Sequence, residues 1–255
     1  MKKKTFLLLL LSLTIVSLPV FSQDAGELAR KCVQALGGEE AVRSYVNFSA
    51  SGTAKVKSYR EMNGTVKIVR QGKKSWTRTD LDFGSSRKYT IVEAYDGKIA
   101  WSQRRSSVTD KPALNYESDS GHTVLVLLGK QAVFSMARET EIGGRKAVGI
   151  EADVKGKKTL FFLDKENYTI LEIVYKDTYF GDKDTKEVLE KRIRYGDYKK
   201  FGSVLFPTRN VFYEKGKKQK EYRFEEVTFK SKTADSFFRR PVKKPDLRYY
   251  AERMH

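Results

Sequence analysis

The sequence predicts a mainly β protein with a small α part, built on about eleven antiparallel strands in a large, strongly curved sheet or barrel. Three observations carry this. Apolar and polar residues alternate with period 2 over run after run, as they do in strands with one buried face. Glycine-centred turn signals separate those runs. The 255 residues are 40% hydrophobic and 12% aromatic, which is too apolar for a disordered chain and enough for a sizeable core.

The elements follow in order. Lys2, Lys3 and Lys4 precede an apolar run from Phe6 to Leu18, and Val20-Phe21-Ser22 supplies a small-residue cleavage site. Residues 1–22 therefore read as a Sec signal peptide, and the mature protein is expected to be soluble and periplasmic. A membrane anchor is the alternative, but the run is shorter than the roughly 20 residues a spanning helix needs. No cysteine follows the run closely enough for lipid attachment. One domain is expected over residues 23–240, with a basic tail over 241–255.

Asp24 to Leu36 reads as a helix, capped by Asp24 and stopped by Gly37-Gly38. Leu28, Cys32 and Leu36 recur at i+4 on one face, so Cys32 is expected to be a buried, inert thiol. From Val46 to Val56 the even positions are apolar or small and the odd ones polar. Rougher runs follow at 65–70, 76–83, 88–95 and 99–103. They resume at 146–154, 158–163, 169–180, 188–198, 205–213 and 220–229. In the last of these Tyr222 and Phe224 are out of phase with Val227 and Phe229, which predicts a bulge near Glu225-Glu226. His122 to Met136 is apolar on most sides and of helix length, so it is expected to lie as one helix against the concave face of the sheet. Thr233–Phe238 reads as a short helical turn.

Catalytic and metal motifs are not found. There is no nucleophile elbow, zinc-protease helix, Cys-x-x-Cys or dinucleotide fingerprint. One cysteine and two histidines leave little for metal clusters or a histidine triad. The pairs Asp80 with Asp82 and Glu225 with Glu226 could serve a glycosidase, but they are read as solvated strand faces and a bulge. The chain is read as a non-enzyme without a cofactor.

Charge is the other compositional signal. The net charge is +18, and removal of residues 1–22 takes three lysines and no acid, leaving +15. In an exported protein such charge faces lipid headgroups and acidic polymers rather than nucleic acid. Gly-Lys-Lys recurs at 72–74, 156–158 and 216–218, each at an expected hairpin tip. Lysine-rich tips keep sheets soluble, yet a rim of them also suits an anionic headgroup or an acidic partner. In a simple meander the tips at 156 and 216 share one end.

The order of elements and four short segments resemble the outer-membrane lipoprotein-sorting superfamily, the LolA/LolB-like carriers. The segments are Tyr95-Asp96-Gly97-Lys98-Ile99-Ala100-Trp101, Gly37-Gly38-Glu39-Glu40-Ala41, Val204-Leu205-Phe206-Pro207-Thr208 and Ala234 to Pro241. The resemblance implies an incompletely closed barrel of about eleven strands, with helices as a lid over an apolar cavity. It also implies a carrier that binds acyl chains of lipoproteins or other lipids, between membrane-bound donor and acceptor proteins. On this reading the lining residues are Val46, Phe48, Ala50, Ile68, Phe83, Tyr89, Ile91, Trp101, Leu163, Ile173, Tyr175 and Phe224. The lid contributes Leu125, Leu128 and Phe134. Plain core packing explains each of them as well. A monomer is the default. The alternative function is a periplasmic sensor or interaction domain that uses a basic rim for a protein partner.

Overall fold

The computed structural model describes residues 24–82, 88–104, 107–111, 120–129, 131–180, 186–230 and 232–241. Thirteen strands form one antiparallel sheet in the order β6-β5-β4-β3-β2-β1-β13-β12-β11-β10-β9-β8-β7. They are β1 (Asn47–Lys57), β2 (Glu61–Gln71), β3 (Lys74–Asp82), β4 (Lys88–Tyr95), β5 (Ala100–Arg104) and β6 (Ser107–Lys111). After a short helical connection come β7 (Val133–Ile142), β8 (Arg145–Val154), β9 (Lys157–Asp164), β10 (Ile170–Phe180) and β11 (Lys186–Phe201). Strands β12 (Val204–Glu214) and β13 (Lys217–Phe229) complete the sheet. Each strand thus pairs with its chain neighbours, and β1 pairs with β13. The sheet is left unclosed between β6 and β7, and the chain crosses that gap through its helical segment.

Two strands exceed the eleven expected. One is β6, which no clear alternation marks in the sequence. The other is β7, whose first residues belong to the stretch expected to be helical. The single helix over His122–Met136 is therefore corrected. It is a short helix, Ser120–Leu125, continued by one 3-10 turn, Val126–Leu128. Gly129 then takes φ +75°, a left-handed conformation that ends the helix and turns the chain. Val133 and Phe134 pair with Asp153 and Ala152 instead. A wholly apolar stretch does not distinguish a buried helix from a strand, and the glycine decided it.

The sheet wraps around three helices, α1 (Ala25–Ala35), α2 (Glu39–Ser44) and α3 (Ser120–Leu125). The side chain of Asp24 caps α1 by accepting a bond from the Gly26 amide at 3.2 Å. Leu28, Cys32 and Leu36 are completely buried, as their spacing predicts. Burial pushes the Cys32 thiol far above its ordinary pKa, which leaves it uncharged and inert. Gly37 has φ +109°, and a Cβ there would sit 1.9 Å from the Ser203 carbonyl oxygen, so only glycine fits this corner. At the same corner the Leu205 amide donates to the Leu36 carbonyl at 3.0 Å, and the Tyr45 hydroxyl to the Leu205 carbonyl at 2.5 Å.

Register assigns the faces. Phe48 and Ala50 on β1 stand opposite Arg70 and Ile68 on β2 and opposite Phe229 and Val227 on β13. Ser51 faces Glu226 but Gly52 faces Phe224, so Glu225 is the extra residue of a bulge at the expected place. One core fills the inner face. It joins Leu28 and Cys32 of α1, and Leu36 just after it, to Phe48, Ile150, Phe161, Leu163, Ile173, Ile193, Phe206 and Phe224, with Val124 and Leu127 from the gap-crossing segment.

The C-terminal part forms a strap on the outer face. Its 3-10 turn, Asp235–Phe238, lies where a helical turn was expected. Phe238 is completely buried, the Phe237 ring packs tilted against Trp76 with centroids 4.8 Å apart, and Lys74 pairs with Asp235 at 2.5 Å. Arg240 pairs with Asp110 on β6 at 2.7 Å. The tail beyond Pro241 and the tip containing Phe83 lie outside the described residues.

Candidate functional site

The named lining residues separate into three groups. Phe48, Ala50, Ile68, Leu163, Ile173 and Phe224 are all buried in the common core. Phe48 lies 5.1 Å from the Phe206 ring and 6.2 Å from that of Phe229, and helix α2 packs against the two strands, β1 and β12, that carry Phe48 and Phe206. At the close-packed density of protein interiors, a ligand reaches these side chains only if a helix moves.

A second group is half-buried. Tyr89, Ile91, Leu125, Leu128, Phe134 and Tyr175 each keep part of their surface accessible. Register places Ile91 opposite Thr79, Thr79 opposite Val66, and Val66 opposite Gly52, which puts all four on the face of Ala50. Tyr89 stands opposite the buried Leu81, and Phe134 opposite Ala152. Gly129 is close to the Phe134 ring, so the gap-crossing segment and the start of β7 meet here. These positions lie toward the strand ends that carry the tips at 58–60, 155–156 and 215–216. The α1–α2 corner lies at the other end, against Ser203.

The third group departs from the inner face. Trp101 stands opposite Ala94, Ala94 opposite Trp76, Trp76 opposite Val69 and Val69 opposite Ser49. That series is the outer face, where the Trp101 indole N–H donates to the Phe238 carbonyl at 3.0 Å. Trp101 is thus the anchor of the strap rather than a neighbour of Phe48. Val46 is half-buried in the turn before β1, where its carbonyl accepts from the Gly72 amide at 2.9 Å.

Sequence reading missed two members of the half-buried rim. Val56 and Phe212 occupy inner-face positions on β1 and β12, and both continue alternations already visible in their strands. Lys220, opposite both, holds its ammonium 4.7 Å from the Phe212 ring and 5.1 Å from the Tyr222 ring. A cation held over aromatic faces at the edge of an apolar interior can meet an anionic group there. The depression beside the β1–β13 bulge is of another kind. It measures about 190 Å³ and is lined by Ser49, Ala50, Ser51, Lys67, Glu226 and Thr228, too polar for an acyl chain.

Two buried carboxylates, Glu221 and Glu172, lie on the outer face. Glu221 accepts from Arg209 at 2.9 Å, Lys218 at 2.7 Å and Arg223 at 3.0 Å. The Arg209 hydrogen bond leads in lowering its pKa to about 2, against the opposing effect of burial. Glu172 accepts from Arg194 at 3.0 and 3.1 Å. Burial raises the pKa of Asp80, but bonds from Arg78 and Thr90 outweigh it and the net shift is downward. Asp80 is thus held as an ion pair, a poor arrangement for a general acid. Among the described residues no three His, Cys, Asp or Glu side chains are grouped to hold a metal ion. No helix among them is long and apolar enough to cross a membrane.

No protein-family model matches the sequence, and no curated protein sequence matches it either. Solved structures do. A domain assigned to outer membrane lipoprotein sorting from Vibrio parahaemolyticus aligns over 84% of this chain and 95% of its own, with TM-score 0.50 and 14% identity. A LolA superfamily protein from Nitrosomonas europaea aligns over 86% and 99%, with TM-score 0.52 and 13% identity. A DUF1329 family protein from Desulfovibrio piger aligns over 86% and 98%, with TM-score 0.53 and 11% identity. The four segments that carry the sequence resemblance also meet in two pairs. Gly37-Gly38 packs against the turn leading into Val204–Pro207, and Trp101 bonds to the strap of residues 234–241. An unclosed, helix-filled antiparallel sheet on this scale, matched over nearly the full length of those proteins, is the LolA-like fold.

Proposed function

We propose that the protein is an exported, periplasmic carrier that binds lipid or acylated protein without catalysis, as a single domain over residues 23–240. The observation that carries this is the half-buried apolar rim at one end of an unclosed sheet. Val56, Tyr89, Ile91, Phe134, Tyr175 and Phe212 give way inward to a largely apolar core. Acyl chains would enter at that rim, with Leu125 and Leu128 of the gap-crossing segment moving aside. Each buried methylene contributes about 0.8 kcal/mol, so burial of the acyl chain works against the loss of the segment's packing. The Lys220 ammonium then faces the polar end of the ligand. Proteins of this fold bearing lipoprotein-sorting and LolA superfamily names support the carrier reading.

Charging Phe48 is a poor test, because a carboxylate among the Phe206 and Phe229 rings would unfold the core. Tyr175→Asp is better, since Tyr175 is half-buried. The variant is expected to keep its circular dichroism spectrum and to lose at least tenfold in affinity for a fluorescent phospholipid. Unchanged affinity in the folded variant would remove Tyr175 and its rim from the site.

A further inference from the structure

We propose that the strand ends carrying the tips at 58–60, 155–156 and 215–216 dock onto an anionic lipid bilayer. The topology brings these tips together. In an antiparallel meander every second turn falls at the same end. The β1–β2, β8–β9 and β12–β13 turns are all of that set, because β1 and β13 are paired. Residues 57–61, 153–158 and 214–218 contain eight lysines and arginines against three carboxylates, so this end is basic. Lys57, Lys155, Lys157, Lys215 and Lys217 are exposed.

Solubility alone accounts for lysines at hairpin tips, but it does not account for Tyr59. Tyr59 stands at the apex of the β1–β2 tip with 107% relative exposure, a bare aromatic ring between Lys57 and Arg60. An aromatic ring with a polar hydroxyl, flanked by cations, matches the headgroup layer of a bilayer. The ring inserts at the interface while the cations meet phosphate. Docking would also set the half-buried rim facing the membrane. That consequence rests on the carrier reading, while the docking itself does not.

The experiment is co-sedimentation of the purified protein with vesicles of phosphatidylcholine, pure or mixed with phosphatidylglycerol. Binding to the mixed vesicles, weakened by salt, is expected. Lys57, Lys157 and Lys217 come one from each tip and lie outside the cargo site. Each contributes about fivefold to binding at an anionic surface, so the triple glutamine variant is expected to bind about 100-fold more weakly. Tyr59→Ser is expected to cost severalfold more than the loss of any one lysine predicts. Equal binding to neutral vesicles, or wild-type binding by the triple variant, would overturn the proposal. Native mass spectrometry of the same triple variant separates the two readings. A lipid adduct retained by the variant with its docking lost leaves the carrier reading intact, and wild-type protein that docks on the mixed vesicles but carries and takes up no lipid overturns the carrier reading alone.

Discussion

Glu221 shows what single residues do on the outer face. Its carboxylate is 6% exposed and accepts bonds from Arg209, Lys218 and Arg223, three cations that are themselves half-exposed. Buried without them it would be costly, so the cluster stands or falls together. The sign of its pH dependence follows from the depressed folded pKa. The stabilisation is fully present above the ordinary value of 4.5 and is lost as pH falls toward about 2. A shift of that size corresponds to at most about 3 kcal/mol, less after solvent screening of the exposed cations. Thermal unfolding of Glu221→Gln measured at pH 7 and pH 3 tests this. The variant should be less stable than wild type at pH 7, with the gap narrowing as pH falls. An equal gap at both pH values would show that the carboxylate contributes by packing alone.

At the scale of elements, the Asp96–Trp101 segment is a clamp. The Asp96 carboxylate accepts from the Lys98 and Ile99 amides at 2.8 and 2.7 Å, and the Tyr95 hydroxyl donates to the Gly97 carbonyl at 2.9 Å. This shapes the β4–β5 turn and sets Trp101 under the strap. Trp101→Phe keeps much of the packing against Val92 and Ala94 and removes the bond to Phe238. It should cost about 0.5–1.5 kcal/mol and make the peptide bonds around residue 240 more sensitive to limited proteolysis. Unchanged cleavage would mean that Lys74–Asp235 and Phe237 hold the strap by themselves. In sequence the segment stands out only as a resemblance, and its use becomes visible only with the distant residue 238 in place. The stretch after residue 122 shows the opposite limit. Its hydrophobicity was legible, but whether it continued as helix depended on Gly129, and an edge strand gains its pairing from β8, which no local pattern reveals. As an edge, β7 leaves Val133 73% exposed, a residue the helical reading buried.

For the whole molecule, alternation along β1 was enough to assign the faces of the sheet, because a period of 2 admits no ambiguity once one face is apolar. The bulge at Glu225 was legible for the same reason, as a break in that period. The candidate site was legible only in part. Sequence groups residues by face, and Phe48 and Tyr175 share a face. It does not say which of them the helices cover, so the closed core and the half-buried rim could not be told apart. Trp101 was placed on the wrong face because β5 spans only five residues, Ala100–Arg104, too short for its alternation to outweigh the resemblance.

The carrier reading is tested most directly by native mass spectrometry of the protein purified from an exported preparation, followed by organic extraction and by adding lipid back. A carrier should show a stoichiometric acylated adduct, or regain one when phospholipid is supplied. A clean mass that no added lipid changes would contradict the carrier reading and favour a sensor or interaction domain of the same fold.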